Sequence, residues 1–157
     1  NQLNVAGELI GDLTYRYTAL NGVTVPPERA PSMIDEYPII AIAAAFAAGQ
    51  TRLCGLGELR VKESNRFSAI VEGLTACGVS VDTDRDDIVI EGCGGPPQGG
   101  AEISVNLDHR VAMSYLVMGI ATKKAVTIND GTPIETSFPN FRILMNGLGA
   151  KIGFAGD

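Results

Sequence analysis

The sequence predicts an α+β protein that contains two copies of one unit, because three features recur about 74 positions apart. These are an amphipathic helix, a glycine-rich stop after it, and an aspartate before an apolar helix. The stops are Cys77-Gly78-Val79 and Gly147-Leu148-Gly149, and glycine past a helix end is the usual terminator. The apolar positions of the amphipathic helices follow the i, i+3, i+4, i+7 spacing of one helix face. They are Phe67, Ile70, Val71 and Leu74 in the first copy, and Phe141, Leu144, Met145 and Leu148 in the second.

Each unit also has a helix that is apolar on nearly every side, which predicts that it is buried all round. Asp35 precedes the first such helix, at about residues 36–48, and Asp108 precedes the second, at about 109–121. At about 13 residues each, they are too short to cross a bilayer, which takes about 20 residues. The two repeat units are expected at about residues 1–92 and 101–157.

Seven short stretches have the composition and alternation of strands, and two irregular stretches are rich in proline or glycine. Residues 79–83 and 87–91 are expected to pair as a hairpin across a turn at 84–86. The other predicted strands are 12–18, 52–54, 102–105, 126–128 and 151–154. The predicted loops are 21–32 and 92–100, the second of which connects the two units.

Composition restricts the classes of partner and site. The formal net charge is −6 at pH 7, and the composition leads us to expect neither a signal peptide nor a transmembrane run, and neither nucleic acid nor membrane as a partner. The three cysteines lack CxxC spacing and there is one histidine, which predicts no zinc or other metal site. Isolated cysteines in odd number favour reduced thiols and a cytoplasmic location. Because the chain starts at Asn1 without an initiator methionine, we expect it to be cut from a longer polypeptide.

Four polar clusters are predicted to stand at helix starts, namely Asp35 and residues 62–66, 108–110 and 136–137. Helix N termini offer free N–H groups and a partial positive charge to phosphates and carboxylates. If the units are related by pseudo-symmetry, these helix starts face one common end. The pattern therefore predicts a site for a small, multiply anionic ligand with an acid or base beside it.

Several of these side chains also have a purely structural interpretation as helix caps. Asp35, Ser64, Asp108 and Ser137 are all of the preferred N-cap types. Capping is the favoured role for Asp108 and for the two serines. For Asp35 a ligand role is favoured, because a proline-rich loop delivers it to the same end as the cations.

The charge run at residues 60–66 can be a solvated helix face, but Arg60, Lys62 and Arg66 do not share one helical stripe. The turn before the helix can therefore aim Lys62 and Arg66 inward, where arginine binds phosphate or carboxylate bidentately and lysine acts as a point charge. Glu63 lies among these cations and can donate or accept a proton beside an anionic substrate.

Two residues at the start of the second apolar helix are further candidates. Arg110 must stay in water or find an anion, since burying an unpaired charge is costly, and a ligand contact is the favoured interpretation. His109 remains open between a proton carrier, a hydrogen-bond donor and an exposed first-turn residue.

Four blocks of sequence together resemble the signature blocks of 5-enolpyruvylshikimate-3-phosphate synthase, in the same order and with similar spacing. They are MIDEYP at 33–38, LRVKESNR at 59–66, DHRVAMS at 108–114 and TSFPNF at 136–141. The resemblance covers nearly the whole chain and is similar to the bacterial class II, glyphosate-tolerant branch. It implies a two-domain enzyme in which each domain has three βαβαββ units, with helices inside and sheets outside. The chain would be a partial C-terminal domain with about two of three units, and its partner would be the missing N-terminal portion.

The resemblance implies that the enolpyruvyl group of phosphoenolpyruvate moves to the 5-hydroxyl of shikimate 3-phosphate and that phosphate leaves. These two substrates are thus expected partners, and no metal or organic cofactor is implied. Asp35 is expected to hold the shikimate hydroxyls and to act as the base, and Glu63 is expected to carry the proton of the methylene carbon. The chain alone, with half an active site, is expected to be inactive.

The resemblance also assigns the cations. Lys62 is expected to contact shikimate 3-phosphate, and Arg66 and Arg110 are expected to bind the phosphate or carboxylate of phosphoenolpyruvate. His109 is a candidate of second rank.

Two positions depart from the family pattern. Asn65 stands where many relatives have aspartate, which predicts that Arg66 is held more loosely, and Thr136 stands where some relatives have a lysine. Two other functions remain open, namely a related enolpyruvyl transferase that acts on a UDP-amino sugar and a non-catalytic anion-binding module.

Overall fold

The computed structural model describes residues 2–154 of the chain, and these residues contain six α-helices and eight strands. The helices are α1 (Ala30–Met33), α2 (Tyr37–Phe46), α3 (Arg66–Ala76), α4 (His109–Ala121), α5 (Thr132–Ser137) and α6 (Phe141–Gly147). The strands are β1 (Gln2–Val5), β2 (Glu8–Gly11), β3 (Thr24–Val25), β4 (Ala48–Leu53), β5 (Ser80–Asp84), β6 (Asp87–Cys93), β7 (Glu102–Ile103) and β8 (Thr127–Ile128). Short 3₁₀ turns cover Pro27–Arg29, Ile34–Glu36 and Gly57–Val61. Asn1 and residues 155–157, the outer ends of the predicted units, lie outside the described residues.

The four predicted helices are confirmed as α2, α3, α4 and α6. The glycine stops are confirmed as well, because Gly78 and Gly149 have φ values of 81° and 100° after α3 and α6. Such left-handed backbone is open to glycine at little cost and ends the helix there.

The prediction that α2 and α4 are buried on every side is wrong along one edge of each helix. Each helix buries one part of its surface completely. The residues with 0% exposure are Tyr37, Ala41, Ala45, Val111, Ala112 and Met118. Ile39 of α2 and Ile120 of α4, however, are 36% and 45% exposed. The neighbouring elements therefore cover only part of each helix in the described structure.

The first unit has the element order β3–α2–β4–α3–β5–β6, which is the βαβαββ order that the family resemblance implies. Its four strands form one sheet in the order β3-β4-β6-β5, with β3 parallel to β4 and the other pairs antiparallel. The predicted hairpin is confirmed as β5–β6, in which Asp84 pairs with Asp87 and Arg85 turns the chain with a φ of 55°.

The second unit repeats the first part of this pattern. Strands β7 and β8 are parallel and flank α4, as β3 and β4 flank α2, and α6 then corresponds to α3. Among the described residues after α6, no strand follows to match β5 or β6.

Two predicted strands are wrong. Residues 12–18 are irregular, with Leu13 75%, Tyr15 85% and Tyr17 100% exposed, and residues 151–154 are also outside any strand. A strand needs a neighbouring strand for its backbone N–H and C=O groups, and neither segment pairs with a strand among the described residues. The backbone N–H and C=O groups of Ile152 instead pair with the Asn146 side chain, both at 2.9 Å. The predicted loop at 21–32 is only partly irregular, because it contains β3, the turn Pro27–Arg29 and the start of α1.

The units join through their helices, where α2 and α3 of the first unit contact α4 of the second. The buried Tyr115 of α4 donates from its hydroxyl to the carbonyl oxygens of Ala69 and Ile70 in α3, at 3.1 and 2.9 Å. Gly73 makes room for this ring, since a Cβ there would lie 2.3 Å from Tyr115 Cζ. This packing sets the start of α3 beside the start of α4. No described helix is long and apolar enough to cross a membrane.

Candidate anion-binding site at the junction of the two units

Arg66 is the centre of a charged cluster between the two units. As the first residue of α3 it has a side chain that is 0% exposed, in contact with three carboxylates. Its Nε donates to Asp108 Oδ2 at 2.7 Å, its Nη1 to Asp35 Oδ1 at 2.8 Å and its Nη2 to Glu63 Oε2 at 2.5 Å. A buried guanidinium requires such partners, because an unpaired charge cannot be buried without a large penalty.

Asp108 connects the two units through its two oxygens. Its Oδ1 accepts from the backbone N–H groups of Arg110 and Val111 at 2.9 and 3.2 Å, so the predicted N-cap of α4 is confirmed. Its Oδ2 accepts from Arg66 Nε and from the Ser64 hydroxyl, the latter at 3.0 Å. The sequence indicated only the cap, and the second role follows from the need of a buried arginine for a buried counter-charge.

Burial and ion pairing act in opposite directions on this pair. Burial alone would raise the pKa of Asp108, but the hydrogen bonds from Arg66, Val111 N–H and Ser64 bring that pKa below its ordinary value. Burial would likewise lower the pKa of Arg66, whereas the contacts with Asp108, Asp35 and Glu63 raise it. Both groups are therefore charged at neutral pH.

Asp35 lies in the 3₁₀ turn Ile34–Glu36, directly before α2, and its side chain is 45% exposed. The hydrogen bond from Arg66 lowers the pKa of Asp35, partial burial opposes this shift, and the charges of Arg110 and Lys62 add to the lowering. The less favoured interpretation of Asp35, as the N-cap of α2, is wrong, because Glu36 occupies that position and makes no side-chain capping bond.

Arg110, the second residue of α4, reaches across to the first unit. Its Nη1 donates to the backbone oxygen of Asp35 at 3.2 Å and to Glu36 Oε1 at 3.1 Å, and its Nη2 lies 3.5 Å from Asp35 Oδ2. Residues 74 to 75 positions apart thus share one ion-pair network. The predicted meeting of helix starts at one end of the fold is confirmed for Asp35, Arg66 and Arg110. No hydrogen bond or ion pair within residues 2–154 joins residues 136–137 to them.

Lys62 and Arg60 behave differently from each other. Lys62 Nζ lies 2.5 Å from Glu58 Oε1 and close enough to Asp35 to lower its pKa, so Lys62 borders the cluster. Arg60 instead donates from Nη2 to the backbone oxygen of Arg85 at 2.8 Å and stacks over the Phe67 ring at 3.7 Å. Arg60 therefore fastens the segment before Lys62 to the β5–β6 turn and takes no part in the cluster.

The remaining predictions for helix starts have mixed outcomes. Asn65 caps α3 by accepting from Ser68 N–H at 3.0 Å, so a cap at Ser64 is wrong. A cap at Ser137 is also wrong, because Thr136 and Ser137 end α5 and do not begin a helix. His109 begins α4 and is partly buried, and its side chain makes no hydrogen bond within residues 2–154.

The expectation that Asn65 loosens Arg66, relative to family members with aspartate there, stays a prediction. Arg66 takes its three ion pairs from Asp35, Glu63 and Asp108, none of which depends on an acidic residue at position 65. Asn65 keeps the structural role at this place by capping the helix that Arg66 begins.

Other potential sites lie away from this cluster. A cleft of about 670 Å³ is lined by α4, β8 and residues 149–154, and it contains none of the cluster residues. The described residues include no group of three or more histidine, cysteine, aspartate or glutamate side chains arranged to hold a metal ion.

Two arginines and two aspartates meet where the two units of this α+β chain join, and they form a candidate site for an anionic ligand. The family profile described as EPSP synthase (3-phosphoshikimate 1-carboxyvinyltransferase) matches residues 7–145. The chain belongs to the EPSP synthase family.

Curated relatives agree with this assignment. A 3-phosphoshikimate 1-carboxyvinyltransferase of Rhodospirillum rubrum is 59% identical over 147 residues, which are 94% of this chain and 33% of that protein. One from Cereibacter sphaeroides is 55% identical over 152 residues, 97% of this chain and 34% of that protein. The chain thus spans about a third of the length of the curated relatives it matches.

Solved structures show the same relation. An EPSP synthase structure from Acinetobacter baumannii superposes with a TM-score of 0.92 at 40% identity, over 98% of this chain and 36% of that one. The enolpyruvyl transferase NikO from Streptomyces tendae superposes with a TM-score of 0.59 at 22% identity, over 74% of this chain and 25% of that one, which supports the fold alone. The predicted α+β class is confirmed.

Proposed function

We propose that the chain forms one wall of the active site of an EPSP synthase. This enzyme transfers the enolpyruvyl group of phosphoenolpyruvate to the 5-hydroxyl of shikimate 3-phosphate and releases phosphate. The observation that carries the proposal is the single network in which Arg66 and Arg110 meet Asp35 and Glu63. Both substrates carry phosphate and carboxylate groups, and the reaction needs an acid and a base within reach of them.

The cations bind the substrates in this proposal. Arg110 and Arg66 hold the phosphate or carboxylate of phosphoenolpyruvate, since a guanidinium offers five N–H donors in a planar fork. Three donors of Arg66 are used within the cluster and its side chain is 0% exposed, so a ligand must displace the exposed Glu63 to reach it. Lys62 contacts shikimate 3-phosphate near its reacting hydroxyl, as a point charge on a flexible stem.

The carboxylates move the protons. Glu63 delivers a proton to the methylene carbon of phosphoenolpyruvate, which leaves the adjacent carbon cation-like. The 5-hydroxyl oxygen bonds to that carbon as its proton passes to Asp35, whose pKa is lowered by Arg66 so that it is ionised before the reaction. Glu63, now ionised, takes a proton back from the new methyl group, and phosphate leaves with its bonding electrons as the double bond re-forms. The proton on Asp35 is released with the phosphate. His109 is a second-rank proton carrier, placed next to Arg110 at the start of α4.

The chain supplies about two of the three repeat units of one domain in this proposal, at about residues 1–92 and 101–157. The remaining substrate ligands and the third unit belong to the other two thirds of the enzyme, so the chain alone is inactive. Cys54, Cys77 and Cys93 are free in the described structure, which supports the proposed cytoplasmic location.

A hybrid enzyme tests the proposal. In it this chain replaces the matching third of the Rhodospirillum rubrum relative, and phosphate release is measured with both substrates. We expect turnover close to that of the parent. Glu63→Gln should lower turnover at least about 100-fold, in the range of general acid–base catalysis, and Arg110→Gln should raise the KM for phosphoenolpyruvate at least about tenfold.

Glu72→Gln is the matched control, because it removes the same charge from an exposed position of α3 outside the cluster. A folded hybrid that releases no phosphate, or in which Glu63→Gln behaves like the control, contradicts the proposal. Turnover of a UDP-amino sugar in place of shikimate 3-phosphate would favour the related transferase, and binding without turnover would favour a non-catalytic module.

A further inference from the structure

The cations that border this site already have carboxylate partners from the same chain. Lys62 Nζ lies 2.5 Å from Glu58 Oε1, and Arg110 Nη1 lies 3.1 Å from Glu36 Oε1. An anionic ligand that binds either cation must therefore compete with a carboxylate that the fold supplies. Neither Glu36 nor Glu58 has a role in the proposed chemistry.

The degree of burial distinguishes the ion pairs in which a ligand can replace the carboxylate from those in which it cannot. Arg66 and Asp108 are both 0% exposed, and opening that pair would leave an uncompensated buried charge. Glu36 and Glu58 are each 56% exposed, so either can return to water at small cost. Exchange with a ligand is therefore expected at Arg110 and Lys62, and not at the bond between Arg66 and Asp108.

Arg110 does not depend on Glu36 for its position. Its guanidinium also donates to the backbone oxygen of Asp35 and lies 3.5 Å from the Asp35 carboxylate. If Glu36 leaves, these contacts still hold Arg110 at the junction, and the N–H group that faced Glu36 becomes available to a phosphate or carboxylate oxygen. Glu36 thus accepts a hydrogen bond from the Arg110 guanidinium but is not required to hold that guanidinium in place.

We propose that Glu36 and Glu58 are internal counter-ions that occupy ligand positions on Arg110 and Lys62 until a phosphate or carboxylate group displaces them. They lower the affinity of the site for its substrates and stabilise the ligand-free state. This inference rests on the proposed function, because it concerns the same site. It assigns residues that set affinity and take no part in the chemical step.

Substitution of each glutamate by glutamine in the hybrid enzyme tests the inference. Glu36→Gln should lower the KM for phosphoenolpyruvate, and Glu58→Gln should lower the KM for shikimate 3-phosphate, each by about two- to fivefold, the range of an exposed ion pair. Glu72→Gln and Glu135→Gln are matched controls, since they change the net charge equally at exposed positions that form no ion pair with described residues. They correct for the general loss of negative charge and should change either KM less than about 1.5-fold.

Inorganic phosphate is an independent probe. A merely structural role of Glu36 or Glu58 predicts lower thermal stability and weaker binding in the glutamine variant. The counter-ion role predicts slightly lower stability without ligand but a larger rise in melting temperature with added phosphate, because ligand binding stabilises the folded state according to its Kd. The two roles thus differ in the sign of the phosphate effect.

The inference is overturned if the KM values of Glu36→Gln and Glu58→Gln rise or match those of the controls. In that case normal turnover of the unmodified hybrid would leave the proposed function intact. If the unmodified hybrid folds but neither binds nor turns over the two substrates, both the proposed function and this inference fail.

Discussion

The two repeat units contain helices with the same apolar spacing, but they bury the apolar face of those helices to different extents. In the first unit, residues 24–93, helix α3 buries Phe67, Ile70 and Leu74 to 4%, 1% and 0% exposure. In the second, residues 102–148, helix α6 buries Phe141 to 7% but leaves Leu144 51% exposed, and Leu148, directly after the helix, is 84% exposed.

The sheets explain this difference. Helix α3 packs against β5 and the turn Gly57–Val61, beside a sheet of four strands, whereas the second unit has a sheet of only β7 and β8 within the described residues. The i, i+3, i+4, i+7 spacing therefore specifies which face a helix can bury, while the surrounding strands decide whether that face finds a partner.

Substitution of Asp108 should lower the unfolding free energy more than any other single substitution, because Asp108 caps α4 in the second unit and pairs with Arg66 in the first. Asp108→Asn keeps the shape and part of the cap but leaves the buried Arg66 with less counter-charge, so we expect a loss of about 4 kcal/mol of unfolding free energy. Urea unfolding of the chain measures it. Asp82→Asn, on an exposed position of β5, is the control and should change stability by less than about 0.5 kcal/mol.

The same pair predicts a pH dependence. The pKa of Asp108 is lower in the folded chain than its ordinary value, so its stabilising effect is complete above about pH 5 and is lost as the pH falls below about 4. The stability difference between the original chain and Asp108→Asn should therefore stay constant from pH 5 to 8 and shrink in acid. A difference that grows in acid would contradict the assigned direction of the pKa shift.

Equivalent leucines compare the two helices directly. Leu74→Ala creates a cavity in the core and should cost about 3 kcal/mol, whereas Leu148→Ala should change the stability of the chain by less than about 0.5 kcal/mol. In the hybrid enzyme the cost of Leu148→Ala should rise to about 2 kcal/mol if the other two thirds cover α6, as the proposed third unit requires. Equal costs at the two positions in the chain alone would show that α6 is not exposed there.

How much of this could be predicted from the sequence depends on where the stabilising contacts come from. Helices α2, α3, α4 and α6 were predictable because their backbone hydrogen bonds are local and their apolar spacing is regular. Strands at 12–18 and 151–154 were predicted wrongly, since a strand depends on a distant partner that its own residues do not reveal.

The site divides in the same way. The presence of Asp35, Arg66 and Arg110 at one end could be inferred from the repeat and from the family resemblance. The second role of Asp108 could not, because its partner Arg66 lies 42 positions away and the bond exists only once the helices pack. The substrate roles of Asp35, Lys62, Glu63, Arg66, His109 and Arg110 remain predictions.

Alanine substitution at two equivalent glycines should change the unfolding free energy in opposite directions. Gly73 and Gly147 occupy matching places in α3 and α6, but a Cβ at Gly73 would meet the buried Tyr115 ring at 2.3 Å, and a Cβ at Gly147 would meet nothing within 4 Å. Gly73→Ala should therefore cost about 2 kcal/mol through overpacking. Gly147→Ala should stabilise by about 0.5 kcal/mol, since alanine favours helix and loses less backbone entropy. Thermal unfolding of both variants measures the contrast, and a shared sign would mean that the two helices have similar surroundings.

The backbone conformation directly before Asp35 differs from that before Asp108. This difference leads to the substitution with the smallest expected change in unfolding free energy. Asp35 follows a short helix and a 3₁₀ turn, whereas Asp108 follows Asn106 and Leu107 with φ values of 49° and 61°. A left-handed backbone conformation costs a leucine about 1 kcal/mol. Leu107 is 73% exposed, so packing of its side chain offsets little of that cost. Leu107→Gly should relieve the strain and raise the unfolding free energy by about 0.5 kcal/mol after the entropy of glycine is subtracted. Leu107→Ala is the control, because it removes the same apolar surface but keeps the strain, and only the glycine variant should be more stable in urea. If both variants are equally destabilised, the side chain of Leu107 makes contacts whose stabilising free energy exceeds the cost of its left-handed backbone conformation.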